Sequence, residues 1–211
     1  MVLDLYVVTD EQIGKGRSHT EIARLACAGG AGAIQLRDKH RAPDELIRIG
    51  REIRAITRGA GALFIVNDSL DVALACGADG VHLGQDDMAA GMARSRAPRP
   101  FIIGISAGSV AEAVAAEQSG ADYVALSPVF ATASKDNAGP GQGLSVLREM
   151  KAAVFIPVIA IGGITRENLG EVIAAGADGI AVISAVVAAP DITAAACDLR
   201  ERIAAAKAGR R

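Results

Sequence analysis

Aromatic residues are scarce in this chain, and tryptophan is absent. The 211 residues include two Tyr and four Phe, so a core must be built from aliphatic side chains, and stacking platforms for single-stranded nucleic acid are missing. An excess of charge of one sign is also absent, since 22 Lys and Arg stand against 24 Asp and Glu, a net charge of −2. This balance argues against nucleic acid or a membrane surface as a partner.

Cysteine clusters and long apolar runs are lacking as well. Cys27, Cys76 and Cys197 form no CxxC pair, and each lies beside Ala in a helical pattern, so we expect three buried small side chains.

No apolar run reaches the roughly 18 residues of a membrane span, and the start of the chain does not read as a signal peptide. We expect a cytoplasmic protein. The sequence is compatible with a homo-oligomer.

A short motif recurs four times along the chain. It begins at Gly29, Gly77, Gly120 and Gly176, and the last three copies start Gly-Ala-Asp. Each copy follows an Ala-rich stretch with helical spacing and precedes a short apolar run. Glycine after the last periodic residue favours the end of a helix, so each copy predicts a helix that turns into a buried strand.

Eight largely apolar runs predict a parallel sheet that is covered on both faces, because strands with one solvated face would alternate instead. The runs span residues 4–9, 33–38, 62–67, 80–84, 101–106, 122–128, 157–162 and 179–184, with helical segments such as 44–57, 110–119 and 166–175 between them. The fold class is therefore α/β, a single (β/α)8 TIM barrel that forms one catalytic domain over residues 1–211. An open doubly wound sheet is the alternative, but no GxGxxG follows the first run.

Polar residues and glycine follow the predicted strands, at the rim where barrels of this kind perform their chemistry. Gly162-Gly163 follows strand 7, and Ile183-Ser184 ends strand 8. Loops after these two strands often hold phosphate, and glycine lets backbone N–H groups approach an anion. These two segments predict a phosphate site.

Two carboxylates also lie at predicted strand ends. Asp68 and Asp87, with no Cys beside them, suit Mg2+, but they could equally cap the helices that follow. His82 lies inside strand 4, and we interpret it as a packed or oriented polar contact rather than a general base. We expect His19 and His40 to lie away from the strand ends.

Basic side chains point to a second anion. Arg37 and Lys39 follow Gln35 in alternation, so that all three can point the same way, and Lys135 lies in a loop, 131–143, that is long enough to act as a lid. Their shared rim predicts a site for a heavily charged anion.

Together these motifs resemble those of the thiamine phosphate synthase family over nearly the whole chain. The matching segments are Gln35-x-Arg37-x-Lys39, Asn67-Asp68, His82-x-Gly84-Gln85-x-Asp87, Thr132-x-Ser134-Lys135, Gly162-Gly163-Ile164 and Ile183-Ser184. The family joins hydroxymethylpyrimidine pyrophosphate to a thiazole phosphate and releases pyrophosphate, by a dissociative mechanism assisted by Mg2+.

The resemblance implies a role for each of these residues. The pyrimidine pyrophosphate would be held by Gln35, Arg37, Lys39, Asn67, Ser106 and Lys135, of which Arg37, Lys39 and Lys135 would be catalytic. The thiazole phosphate would be held by Thr132, Ser134, Gly163, Ile183 and Ser184, and Mg2+ by Asp68 and Asp87. The chain departs from the family pattern at Gly108, Ser127, Ala131 and Ser134, where relatives usually carry His, Gly, Pro and Thr.

Two other functions compete with this assignment. A thiazole tautomerase has the same barrel and resembles this chain in residues 157–163, but that family carries a His after strand 6, where this chain has Pro128. A non-catalytic binder of thiamine precursors would keep the phosphate site without turnover.

Overall fold

The computed structural model describes residues 3–132 and 140–209. Within them, eight parallel strands close a barrel in the order of the sequence. The strands are β1 (Leu5–Val8), β2 (Ala33–Leu36), β3 (Leu63–Asn67), β4 (Gly80–Leu83), β5 (Ile102–Ala107), β6 (Tyr123–Leu126), β7 (Val158–Ile161) and β8 (Gly179–Val182). Each overlaps one predicted apolar run, and the predicted (β/α)8 barrel is confirmed.

The helices cover the outside of the barrel. They are α1 (His19–Ala28), α2 (Pro43–Ala60), α3 (Leu70–Cys76), α4 (Ala90–Arg96), α5 (Val110–Gln118), α6 (Gly143–Ala153), α7 (Leu169–Ala174), α8 (Ser184–Val187) and α9 (Ile192–Ala208). The predicted helix 166–175 is shorter in the structure, because the Asn168 side chain accepts the Thr165 N–H and holds the preceding residues in a turn. In the described part of the chain, every helix is too short or too polar to cross a membrane.

Apolar side chains fill two layers, one between the strands and the helices and one inside the barrel. The inner layer consists of Leu3, Tyr6, Ala33, Ile65, Tyr123, Ala125, Ile159 and Ala181. Burial on both faces explains why the strands are apolar throughout. Cys76 is buried as expected, whereas Cys27 and Cys197 are only partly buried.

The repeated Gly-Ala-Asp motif stabilises the amino-terminal ends of the strands. The Asp79 carboxylate accepts the Phe64 N–H at 2.8 Å and pairs with the Arg54 guanidinium at 2.8 Å. The other two copies make the same contacts, Asp122 with Ile103 and Arg94, and Asp178 with Val158 and Lys151. The motif thus ties each of β4, β6 and β8 to the preceding strand and to a helix, at the barrel face opposite the rim that performs chemistry.

Candidate active site

The carboxyl ends of the strands surround a cavity of about 440 Å³. Every described residue that the sequence predicted for the pyrimidine pyrophosphate or the metal lines it, namely Gln35, Arg37, Lys39, Asn67, Asp68, Asp87 and Ser106. Strand β2 ends at Leu36, earlier than predicted, yet Arg37 and Lys39 continue the alternation and face the cavity. Lys135 and most of the predicted lid lie outside the described residues.

A smaller pocket adjoins this cavity at the ends of β7 and β8. It is lined by the predicted residues Thr132, Gly163, Ile183 and Ser184, and it shares Ile161, Ala181 and Ile183 with the larger cavity. Strand β8 stops at Val182, so Ser184 is the first residue of α8 rather than the last of a strand. Ser134, the fifth residue predicted here, lies outside the described residues.

The backbone conformation and close packing at position 163 require glycine. Its φ is +62°, and a Cβ would lie 2.7 Å from the Ala131 carbonyl oxygen and 2.7 Å from the Phe130 Cβ. Any other residue would therefore be strained and would push against the loop after β6. The close approach brings the backbone of two loops together around the small pocket.

Asp68 and Asp87 face each other at the rim of the large cavity. Asp68 has a φ of +64°, a conformation that few residues other than glycine adopt, and its N–H donates to the His82 carbonyl at 2.8 Å. The Asp87 carboxylate accepts the Gly84 N–H at 2.6 Å. Burial raises the pKa of Asp68 to about 6, and the nearby charge of Asp87 adds to this rise.

Neither carboxylate caps a helix. The Ser69 hydroxyl caps α3 by accepting the Val72 N–H at 3.3 Å. Helix α4 begins after Ala89 and has no side-chain cap. The capping interpretation of Asp68 and Asp87 is therefore wrong.

The same pair fits a magnesium ion by its chemistry. Within residues 3–132 and 140–209, no group of three or more His, Cys, Asp or Glu side chains could hold a metal by itself. Mg2+ commonly takes only one or two carboxylates and completes its shell with water and substrate phosphate. Burial and the repulsion between the two carboxylates raise the pKa of Asp68, and a divalent cation would stabilise the ionised pair.

Arg37 and Lys39 supply the opposite charge. Both lower the pKa of Asp68, which places them within electrostatic range of the acidic pair. The Arg37 guanidinium lies 3.3 Å from the Asp10 carboxylate, which also accepts the Ile13 N–H at 2.9 Å. Asp10 thereby holds one of the two cations in place.

A row of hydrogen bonds crosses the barrel at the floor of the cavity, and sequence reasoning missed its two tyrosines. The Gln35 amide donates to the Tyr6 hydroxyl at 2.7 Å, and this hydroxyl lies 3.2 Å from that of Tyr123. His82 Nδ1 lies 2.9 Å from the Tyr123 hydroxyl, and His82 Nε2 lies 2.9 Å from Ser106 Oγ. Burial raises the pKa of both tyrosines, so they stay protonated. The interpretation of His82 as an oriented polar contact agrees with these bonds.

His19 is not remote from the strand ends, contrary to expectation. Its side chain is 1% exposed and contacts Thr9 after β1 and Asp38 after β2. Helix α1 begins at His19 behind the capping residue Ser18, which brings the imidazole back to the rim. Nothing in the local sequence pattern distinguishes this histidine from an exposed one.

Comparison with known proteins agrees with the resemblance seen in the motifs. The family model described as thiamine monophosphate synthase matches residues 5–186. The thiamine-phosphate synthase of Methanoregula boonei is 72% identical over 98% of this chain and 96% of its own length. That of Methanoculleus marisnigri is 65% identical over 99% of each chain. The solved structure of a thiamine phosphate pyrophosphorylase from Pyrococcus furiosus superposes with a TM-score of 0.91 at 45% identity, covering 97% of both chains. This chain therefore belongs to the thiamine monophosphate synthase family.

Proposed function

We propose that the chain is a transferase of thiamine biosynthesis that joins hydroxymethylpyrimidine pyrophosphate to thiazole phosphate. The observation that carries this proposal is the meeting of an acidic pair, Asp68 and Asp87, with Arg37 and Lys39 around one cavity. A pocket bounded by Gly163 adjoins it. Such a rim suits a metal-bound pyrophosphate next to a smaller phosphate ester.

The reaction depends mainly on stabilisation of the pyrophosphate leaving group. The bond from the pyrimidine methylene to the pyrophosphate oxygen breaks, and a bond from that methylene to the thiazole nitrogen forms. Arg37 and Lys39, with Lys135 as the third predicted cation, neutralise the charge that gathers on pyrophosphate. Asp68 and Asp87 would hold Mg2+, which when bound supplies further neutralisation of this charge.

No general base is needed, because the attacking thiazole nitrogen carries no proton. A reaction without a general base suits this cavity. The histidine among its described lining residues, His82, is already engaged with Tyr123 and Ser106. On the dissociative mechanism the pyrophosphate leaves first, and Gln35, Asn67 and Ser106 would hold the pyrimidine while the cation exists. Exclusion of water from that cation is the role we assign to the loop 131–143.

The second phosphate belongs in the small pocket. The residues proposed to hold the thiazole phosphate are Thr132, Ser134, Gly163, Ile183 and Ser184, four of which line that pocket. Separate pockets for the two anions would let each substrate bind without repelling the other. The cytoplasmic location remains a prediction.

Incubation of the purified chain with both substrates and Mg2+ tests the proposal. We expect thiamine phosphate by mass spectrometry and an equal amount of released pyrophosphate, and loss of both with a chelator or in Asp87→Asn. Isomerisation of the thiazole carboxylate phosphate without metal would instead favour the tautomerase. Binding of both substrates without product would favour a non-catalytic binder.

A further inference from the structure

We propose that His19 is a positioning residue for the segment that carries Arg37 and Lys39, an inference that rests on the proposed pyrophosphate site. His19 is the first residue of α1, outside the barrel, and it does not line the central cavity. Its side chain is nevertheless almost fully buried. It joins the end of β1 to the loop after β2.

The two ring nitrogens have different partners. His19 Nδ1 lies 2.7 Å from Thr9 Oγ1, and Nε2 lies 3.2 Å from Asp38 Oδ2. Thr9 Oγ1 also accepts the Arg37 N–H at 3.4 Å, so its own hydrogen can go to Nδ1. Nε2 can then donate to Asp38, so that one orientation of the ring satisfies all three bonds.

Asp38 transmits this contact to the cations. It stands between Arg37 and Lys39, which face the cavity, while its carboxylate faces His19 on the other side. The carboxylate also accepts the N–H of His40 at 2.8 Å and that of Arg41 at 3.1 Å. Burial acts to raise the pKa of Asp38. The backbone N–H of His40, the side chain of His19 and the backbone N–H of Arg41 outweigh this effect and lower the pKa below its usual value. The charged carboxylate therefore fixes the course of the loop.

A second set of contacts supports the same loop. Glu11 accepts the backbone N–H of His19 at 3.0 Å and pairs with the Arg41 guanidinium at 2.7 Å. The neighbouring Asp10 holds the Arg37 guanidinium. The residues after β1 thus contact both ends of the segment 37–41, and His19 is the buried link between them.

A shift of this segment would move both cations together. Charge stabilisation of a leaving group depends on donors that are already in place, and displacements of about 1 Å reduce it strongly. Loss of the His19 imidazole would leave Asp38 with only the Arg41 guanidinium, at 3.5 Å, as a charged side-chain partner. The segment that directs Arg37 and Lys39 into the cavity would then be less firmly held. The thiazole phosphate pocket, formed by the ends of β7 and β8, would not be affected.

Titration calorimetry with inorganic pyrophosphate and Mg2+ tests the inference. We expect His19→Leu to raise the Kd for pyrophosphate about tenfold, the lower end of the effect of losing a group that orients binding residues. His19→Gln, whose amide can donate to Asp38, should stay within about threefold of wild type by the same reasoning. His40→Leu is the matched control, because the His40 side chain is exposed on the same loop. The Kd of this variant for pyrophosphate should equal that of wild type.

Kinetics with both substrates separate positioning from a general structural effect. His19→Leu should raise the KM for the pyrimidine pyrophosphate and leave the KM for thiazole phosphate unchanged. Asp38→Asn, which keeps the volume of the side chain, should show the same selective rise if His19→Leu fails to fold. Wild-type pyrophosphate affinity in folded His19→Leu, or an equal rise of both KM values, would overturn the inference. Failure of the wild-type chain to bind pyrophosphate would overturn the proposed pyrophosphate site itself.

Discussion

The Tyr6 hydroxyl lies 3.2 Å from the Tyr123 hydroxyl inside the barrel, although the two residues are 117 positions apart in the chain. Their rings meet edge to face with centroids 6.2 Å apart. Closure of the barrel brings β1 and β6 into contact across its interior. The pair connects Gln35 on one wall of the cavity to His82 on the other.

Tyr123→Phe should break this connection and lower stability by about 1–2 kcal/mol, because buried hydrogen bonds to Tyr6 and His82 are lost. Urea unfolding measures this cost, and the KM for the pyrimidine pyrophosphate should rise because Gln35 and Ser106 lose a fixed orientation. The double variant Tyr6→Phe/Tyr123→Phe should cost less than the sum of the two single changes. Additive costs would show that the hydroxyls do not interact.

Asp68→Asn should abolish turnover and yet stabilise the protein at neutral pH. The folded-state pKa of Asp68 is about 6, above its unfolded value, so the favourable contribution of the proton is complete below about pH 4 and lost as the pH rises through 6. Asn stays neutral and tolerates the positive φ. We expect a gain of roughly 1 kcal/mol after allowance for solvent screening, about 2–4 °C in Tm at pH 7.5.

The gain should vanish at pH 4, where Asp68 is protonated in the folded protein. Thermal unfolding of both proteins at the two pH values, without added metal, measures it. Asp86→Asn is the control, because this carboxyl is exposed on the same rim and its replacement should change Tm little. A stability difference that is the same at both pH values would contradict the prediction.

Arg37→Ala should weaken binding of the pyrimidine pyrophosphate by about 1.5–3 kcal/mol, the range for hydrogen bonds to a charged partner. Binding of thiazole phosphate should hardly change, since four of its five proposed residues line the smaller pocket, which Arg37 does not line. Titration of each ligand alone decides the matter. Arg48→Ala, which removes an exposed arginine from α2, should affect neither ligand.

Gly163→Ala should lose about 1–3 kcal/mol of stability, because alanine is strained at a φ of +62° and its Cβ would press on the loop after β6. Affinity for thiazole phosphate should fall, while pyrophosphate binding is retained. Gly170→Ala in α7 is the matched control, because its Cβ would meet open space and should be neutral or stabilising. Equal effects of the two changes on phosphate binding would argue against a phosphate site at Gly163.

Much of the barrel can be predicted from the sequence, for a local reason. Apolar runs report burial on both faces, and the repeated glycine marks the point where each helix must end. Three of these glycines, Gly77, Gly120 and Gly176, have positive φ in the structure. Since parallel strands place their carboxyl ends on one rim, the sequence also predicts that the residues after each run line a common cavity.

The barrel and the residues at its rim therefore follow from local patterns in the sequence. The partners of these residues depend on the closed fold, in which Asp68 faces Asp87 instead of capping α3, Tyr6 meets Tyr123, and His19 lies buried against Asp38. Periodicity records whether a side chain is buried, but a hydrogen bond depends on positions in space. Those positions are set when distant strands close into a barrel and a helix returns to its rim.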